Sequence, residues 1–393
     1  MPDAFILSAC RTPLGKFRGS LSTLPVTDLG ALAVREAVAR SGVDPSDVDE
    51  VILGNVLSAG VGQAPARQAA LRAGLPPTVA ALTVNKVCGS GLKAVMLAAQ
   101  GVRCGDVDLV VAGGMESMSR AGWVLPRDAA PLGDRPLIDS LMHDGLTCAF
   151  SGQSMGEIAD GLAAQADISR EEQDRFALES HRRAIEAAET GAFAAEMVAV
   201  PVRRGSDAGL VLGDEGPRSD ASLDGLARLR PAFPTGGTVT AGNSSLISDG
   251  AAAVVVGSEE MAARSSARPL ARIVAAVTSG AQPQDLFTAP VEAIRRVLAN
   301  GKRTLDDIDL FEINEAFAVQ MLACMRELRL GADRVNVHGG AIALGHPIGA
   351  SGARVLVTLL HALERRGSRL GVAALCLGGG NAVAMLVERE QKR

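Results

Sequence analysis

The chain has 393 residues, 47% of them hydrophobic and 21% charged, which exceeds one compact core and predicts two or three domains or a fused pair. Aromatic residues make up only 3% and tyrosine is absent, so Ala, Gly and aliphatic side chains must build the interior. A net charge of −5 without a basic stripe argues against nucleic acid as a partner, and no apolar run is long enough to span a bilayer.

The chain opens on a strand, Phe5–Ala9, with no signal-peptide or transit-peptide pattern, so a cytoplasmic protein is expected. Leu29–Ala39 has helical spacing behind Thr27 and Asp28, either of which can cap it. Val51–Val56 reads as a strand, Gly91–Val102 as a helix, and Leu109–Gly113 as a buried strand. This βαβ rhythm predicts an α/β fold with a mostly parallel sheet. From about Ser119 to Pro234 the chain turns rich in Gly, Pro, Asp and Arg, with one helix over Arg175–Ala188, a capping box at Ser169 and Glu172, and a stop at Gly191. That stretch reads as a long insertion. Strands over Ala251–Val256, Leu270–Thr278, Ile308–Ile313, Leu370–Leu377 and Val383–Glu388 then alternate with helices from Ser258 and over Val291–Leu298, Ala316–Leu328 and Gly352–Arg365. Both ends carry an acidic residue before an apolar strand, then a helix, a Gly-rich turn, a helix, and a strand ending in Gly-Gly. Either the chain is duplicated, or any two α/β halves look this similar.

Six cysteines show neither C-x-x-C pairs nor zinc spacing, which fits reduced thiols without a metal. Cys88 lies in Val87-Cys88-Gly89-Ser90-Gly91, just before a helix whose dipole favours thiolate. It is a candidate nucleophile; a buried structural Cys in an Ala-rich core is the common alternative, and the Gly-rich turn at a helix start shifts the balance toward the nucleophile. His346, in Gly345-His346-Pro347-Ile348-Gly349, can accept a proton from a thiol or polarise a carbonyl, or be a plain turn histidine. Cys376 ends a buried strand before Gly378-Gly379-Gly380, whose N–H groups can converge on an oxyanion; a core thiol is the alternative. Asn314 can hold a water or oxyanion, cap a helix, or do both. Cys10, Cys104, Cys148 and Cys324 read as structural, and His143, His181, His338 and His361 as surface or loop positions.

These four segments, in order, resemble the four signature blocks of the thiolase family. Arg11–Phe17, Gly113–Ser119, Leu229–Phe233 and Thr240–Ser245 are similar to further family segments. The resemblance implies a layered αβαβα thiolase fold with two halves, 1–118 (completed by 250–268) and 269–393, and an inserted loop domain, 119–249. It implies that Cys88 takes the acyl group, that His346 activates it and shares an oxyanion hole with a water on Asn314, and that Cys376 moves the α-carbon proton. The N–H groups of Cys88 and Gly378 would form a second oxyanion hole. Coenzyme A and acyl-CoA would be substrates rather than resident cofactors, bound by Arg218, Phe233 and Ser245 with Leu146, Ser154, Met155, Leu226, Leu286 and Phe317. A homotetramer, a dimer of dimers, would assemble through Ser119–Asp144. The implied reaction is reversible CoA-dependent cleavage of a 3-ketoacyl-CoA, as in fatty acid β-oxidation, or the reverse condensation.

Four departures from the family pattern occur: Ser154 where His precedes Met-Gly, Leu286-Phe287 where Met-Gly is usual, Leu246 where Gly often follows the CoA-contacting Ser, and Ala382 for a frequent Gly. They leave the four reactive groups intact and predict a substrate other than acetoacetyl-CoA. A decarboxylating ketoacyl synthase and a non-catalytic acyl-CoA or lipid carrier are the rival readings; the four blocks together favour the thiolase.

Overall fold

The computed structural model describes residues 2–127, 134–204, 207–234 and 236–389. In chain order its strands are β1 (Ala4–Arg11), β2 (Gly15–Lys16), β3 (Glu50–Gly54), β4 (Ala80–Val84), β5 (Leu109–Ser117), β6 (Trp123–Val124), β7 (Ile138–Asp139), β8 (Val200–Arg204), β9 (Asp207–Val211), β10 (Ser248–Gly257), β11 (Ala271–Gly280), β12 (Leu310–Ile313), β13 (Leu370–Leu377) and β14 (Asn381–Glu388). The helices are α1 (Val26–Ser41), α2 (Pro65–Ala73), α3 (Ser90–Cys104), α4 (Met155–Gln165), α5 (Arg170–Glu189), α6 (Leu223–Ala227), α7 (Glu259–Arg264), α8 (Ala289–Gly301), α9 (Ala318–Leu328) and α10 (Ile348–Arg366).

Ten strands form one sheet in the order β12-β13-β14-β11-β1-β10-β5-β3-β4, with β2 added beside β10. The order repeats: β1-β10-β5-β3 matches β11-β14-β13-β12, each set making two antiparallel contacts and then a parallel one. The repetition favours duplication over chance likeness. The expected mostly parallel sheet is corrected, because only β12/β13, β3/β5 and β3/β4 are parallel among the described residues. A three-residue Gly turn joins β13 to β14, and a connection that short can join only antiparallel neighbours.

Helices α1 and α2 pack on the first strand set, and α8 packs on β11, β13 and β14. Between the sets lie α3 and α10, which touch each other and strands of both. Almost every residue of α10 is buried, as a helix enclosed on all sides requires. At the crossing, a Cβ on Gly91 would stand 2.7 Å from the Ala353 nitrogen, and one on Gly352 would stand 2.3 Å from the Leu92 nitrogen. Glycine lets the two backbones meet there. Cys88 precedes the N-terminus of α3 and His346 that of α10, so this contact draws the two segments together.

Three expectations about helices change. Thr27 and Asp28 lie inside the first turn of α1, where Pro25 is the N-cap. Asn314 does not cap α9; Phe317 holds that position. The insertion holds α4 and α6 besides α5, and α4 has its own capping box, Ser154 with Glu157. Of the histidines expected at surface or loop positions, His143 is exposed; His181 and His338 are buried, and His361 lies within α10. No helix of the described residues is long and apolar enough to cross a membrane.

Candidate active site

Cys88 sits on a tight elbow between β4 and α3. Val87 has φ +47°, a left-handed conformation that a β-branched residue adopts at a cost of order 1–3 kcal/mol. Its neighbours hold it there: Asn85 Oδ1 accepts the Val87 N–H at 3.1 Å, and Ser90 Oγ accepts the Lys86 N–H at 2.8 Å while donating to the Val87 carbonyl at 2.6 Å. The elbow turns the Cys88 thiol into a largely apolar enclosure beside Met118, Leu146, Ile247 and Ile348. The backbone N–H groups of Cys88 and Gly378, the two expected oxyanion donors, both lie near enough to its sulfur to favour the thiolate.

Burial nevertheless pushes the Cys88 thiol up to about 12, with the two N–H groups lowering it and Glu116 raising it. The helix dipole therefore does not make a standing thiolate, as its position in sequence suggested. Desolvation of the charged sulfur outweighs it, and a base is needed to ionise the thiol.

His346 can be that base. Its backbone N–H donates to the Leu246 carbonyl at 2.9 Å, which fixes the turn before α10. Nδ1 lies 2.6 Å from Ser351 Oγ, and Ser351 Oγ donates to the Pro347 carbonyl at 2.9 Å. The hydroxyl has one proton, so with that proton on Pro347 the imidazole donates from Nδ1. Nε2 then keeps its lone pair, and His346 lines the pocket. Burial, followed by the nearby Arg354 charge, drives His346 down to about 3, so the ring is neutral at physiological pH. The Asn314 amide nitrogen lies 3.4 Å from the same Nδ1. Asn314 is fully buried, and its Oδ1 has no hydrogen-bond partner among the described residues.

Cys376 is the penultimate residue of β13, in register with Ala382. Burial pushes its thiol well up, and the neighbouring Cys88 raises it further, so the two sulfurs feel each other. It belongs to the same apolar cluster as Leu286, Phe287 and Phe317. Glu116, whose role the sequence reading did not see, braces the site from behind. It accepts hydrogen bonds from the Val56, Leu57 and Gly349 N–H groups and from Asn55 Nδ2. Buried, it is raised to about 7. These bonds tie the end of β3 to the first turn of α10.

A pocket of about 440 Å³ opens beside His346. Of the predicted binding residues, Leu146, Ser154, Met155, Phe233, Ser245 and Phe317 line it. Phe233 lies flat on α4, where a Cβ on Gly156 would stand 1.8 Å from its ring. Ser154 reaches the pocket wall, but its hydroxyl is committed to Glu157 as a helix cap. Leu246, a departure from the family pattern, lines the pocket and carries the carbonyl that holds His346. Three predicted residues stand off the pocket lining. Arg218 is exposed and paired with Asp220 at 3.0 Å, Leu226 is buried against Gly242, and Leu286 lies in the wall behind. Lys16, Phe17, Met118, Met142 and Ile247 line the pocket and were missed. Lys16 and Phe17 belong to the Arg11–Phe17 segment, which the sequence reading matched to the family without giving it a role.

The chain matches the thiolase N-terminal domain over residues 4–260 and the thiolase C-terminal domain over residues 267–389. It is 51% identical to an acetyl-CoA acetyltransferase of Chromobacterium violaceum, over 98% of this chain and 100% of that one. It is 50% identical to an acetyl-CoA acetyltransferase of Escherichia coli, over 99% of this chain and 100% of that one. Among solved structures, the acetyl-CoA acetyltransferase of Bacillus anthracis superposes with a TM-score of 0.97 at 42% identity, covering 99% of each chain.

Proposed function

This chain belongs to the thiolase family and is an acyltransferase acting on acyl-CoA, and from that premise we propose that its reaction runs through an acyl-enzyme on Cys88. The observation that supports this most is the nearness of the Cys88 sulfur to the N–H groups of Cys88 and Gly378 and to the Cys376 thiol.

In the cleavage direction, the Cys88 thiol gives its proton to His346 Nε2 and the sulfur attacks the 3-keto carbon. The developing oxyanion, on the carbon bonded to the Cys88 sulfur, is held by the N–H groups of Cys88 and Gly378. The bond between carbons 2 and 3 breaks, and its electron pair forms the acetyl-CoA enolate. That enolate's oxygen meets the protonated Nε2 of His346 and a water on Asn314, and its carbon takes the proton of Cys376. Coenzyme A then enters and gives its thiol proton to the Cys376 thiolate. Its sulfur takes the acyl group, and the departing Cys88 sulfur recovers the proton from His346. Two moderate barriers replace one high barrier, with ping-pong kinetics.

The 440 Å³ pocket serves the pantetheine arm, with Phe233 as its flat wall and Ser245 at its side. Lys16 at the pocket and Arg218 on the nearby surface supply positive charge for the nucleotide. Residues 119–249 act as the CoA-binding and assembly insert, between halves 1–118 (with 250–268) and 269–393. Within the 119–144 stretch, which includes 128–133 outside the described residues, Trp123, Leu125 and Leu137 are at least half exposed around the β6/β7 ladder. That apolar display favours a homotetramer. The six free cysteines favour the cytoplasm.

The test is thiolysis of a panel of 3-ketoacyl-CoAs with free coenzyme A by the wild type and Cys88→Ala. Loss of ketoacyl-CoA only with Cys88 present supports the reading. CoA binding without cleavage of any member overturns it in favour of a carrier.

A further inference from the structure

The catalytic pocket shares a wall with a second, larger groove. The groove, about 980 Å³, lies between α4, the 281–295 segment and α9. Ile158, Leu162, Phe287 and Ala323 give it an apolar floor, and Glu292 and Glu327 stand at its rim. Successive turns of α4 serve both spaces: Met155 lines the pocket, whereas Ile158 and Leu162 line the groove.

Two rings close the partition. Phe317 lines the pocket, Phe287 lines the groove, and they meet edge to face at 5.3 Å between centroids and 77° between planes. Phe287 is 2% exposed, and its carbonyl accepts the Cys324 thiol at 3.3 Å, which anchors it to α9. Cys376 packs in the same cluster as both rings. Cys88, which would hold carbon 3 and its chain, neighbours Cys376, so this wall is the one that an extended acyl chain on Cys88 would meet.

We propose that Phe287 is the stop that sets acyl-chain length, confining the enzyme to short 3-ketoacyl groups, and that the groove behind it is a ready channel for a longer chain once the ring is removed. The inference rests on the acyl-enzyme reading above. It also gives the Leu286-Phe287 departure a direction: the added bulk shortens the acyl site instead of enlarging it.

The experiment compares kcat/KM for short- and medium-chain 3-ketoacyl-CoAs in the wild type, Phe287→Ala, Phe287→Leu, and Phe287→Ala combined with Ala323→Phe. The medium-to-short ratio should rise about tenfold or more in Phe287→Ala, less in Phe287→Leu, and fall back when Ala323→Phe refills the groove. An unchanged ratio in folded Phe287→Ala overturns the proposal. If that variant does not fold, the ratio in Phe287→Leu decides in the same sense. A wild type that already prefers medium chains also overturns it. A wild type that cleaves no 3-ketoacyl-CoA refutes the acyl-enzyme reading itself, a result distinct from either of these.

Discussion

Gly91 and Gly352 face each other where α3 crosses α10, and neither position has room for a methyl group. The obstructing atoms are backbone nitrogens of the facing helix, so no side-chain rotation can relieve the clash. Gly352→Ala should force the helices apart and destabilise the protein by about 1–3 kcal/mol, read as a lowered denaturant midpoint. Activity should fall beyond the loss of folded protein, because the separation moves the Cys88 and His346 segments apart. Full activity per folded molecule would show that the crossing does not set the site.

Cys88→Ala and Cys376→Ser should fail at different steps. With Cys88→Ala, incubation with acyl-CoA should leave no covalent adduct in the mass spectrum. Cys376→Ser should still accept an acyl group on Cys88, while carbon–carbon cleavage falls about 10²–10⁴-fold, the range for a lost general acid or base. An acyl adduct in Cys88→Ala would move the nucleophile elsewhere.

Ser351→Ala removes the hydroxyl that holds His346 Nδ1 and fixes its tautomer. A drop of about 10–100-fold in kcat, with KM for coenzyme A nearly constant, is expected from loss of such an orienting bond. Ser351→Thr should restore part of the rate. Equal losses in both variants would point to packing instead of tautomer control.

His346 is held down to about 3 in the folded chain and would stand near 6.5 in the unfolded one. Above about pH 6.5 both states carry it neutral. As pH falls from there toward 3, the unfolded state takes up a proton that the folded state refuses, so stability is lost by up to about 1.4 kcal/mol per pH unit from this group. Glu116 acts in the opposite sense: raised to about 7, it stabilises the fold at low pH and loses that contribution as pH rises from about 4.5 through 7. His346→Asn should therefore flatten the acid side of the stability profile relative to wild type in urea titrations between pH 6.5 and 4. An unchanged profile would mean that the imidazole is not buried neutral.

Gly156→Ala places a methyl group inside the space of the Phe233 ring. The ring must swing off α4 into the pocket, so KM for coenzyme A should rise several-fold while acyl transfer from a bound substrate changes less. Initial-rate kinetics with coenzyme A as the varied substrate separate the two.

Much of this was legible in sequence because the reactive groups sit on turns, and turns advertise themselves. Cys88, His346 and Cys376 each lie beside glycines, and the family blocks around them supplied the pairing that spacing alone could not. The strand directions were hidden, since β10 and β14 are as uniformly buried as strands of a parallel sheet. The start of α4 was hidden too: Ser154 was read as a substrate contact, although its capping box with Glu157 is written in the sequence. The raised thiol of Cys88 was out of reach, because the dipole can be inferred locally but desolvation depends on Met118, Leu146, Ile247 and Ile348, distant in the chain. Glu116 was invisible for the same reason: its four hydrogen bonds come from two segments, 55–57 and Gly349, both distant from it in the chain.

The repeated strand order has a consequence for how the chemistry is divided. The Cys88 elbow leads into α3, while the His346 turn, Asn314 and Cys376 lie on or beside α10, β12 and β13. In the proposed reaction, one repeat therefore holds the acyl group and the other handles the protons, as two subunits do when an active site spans a dimer interface. Because both repeats lie on one polypeptide, they are present in equal number, and chain concentration cannot pull them apart.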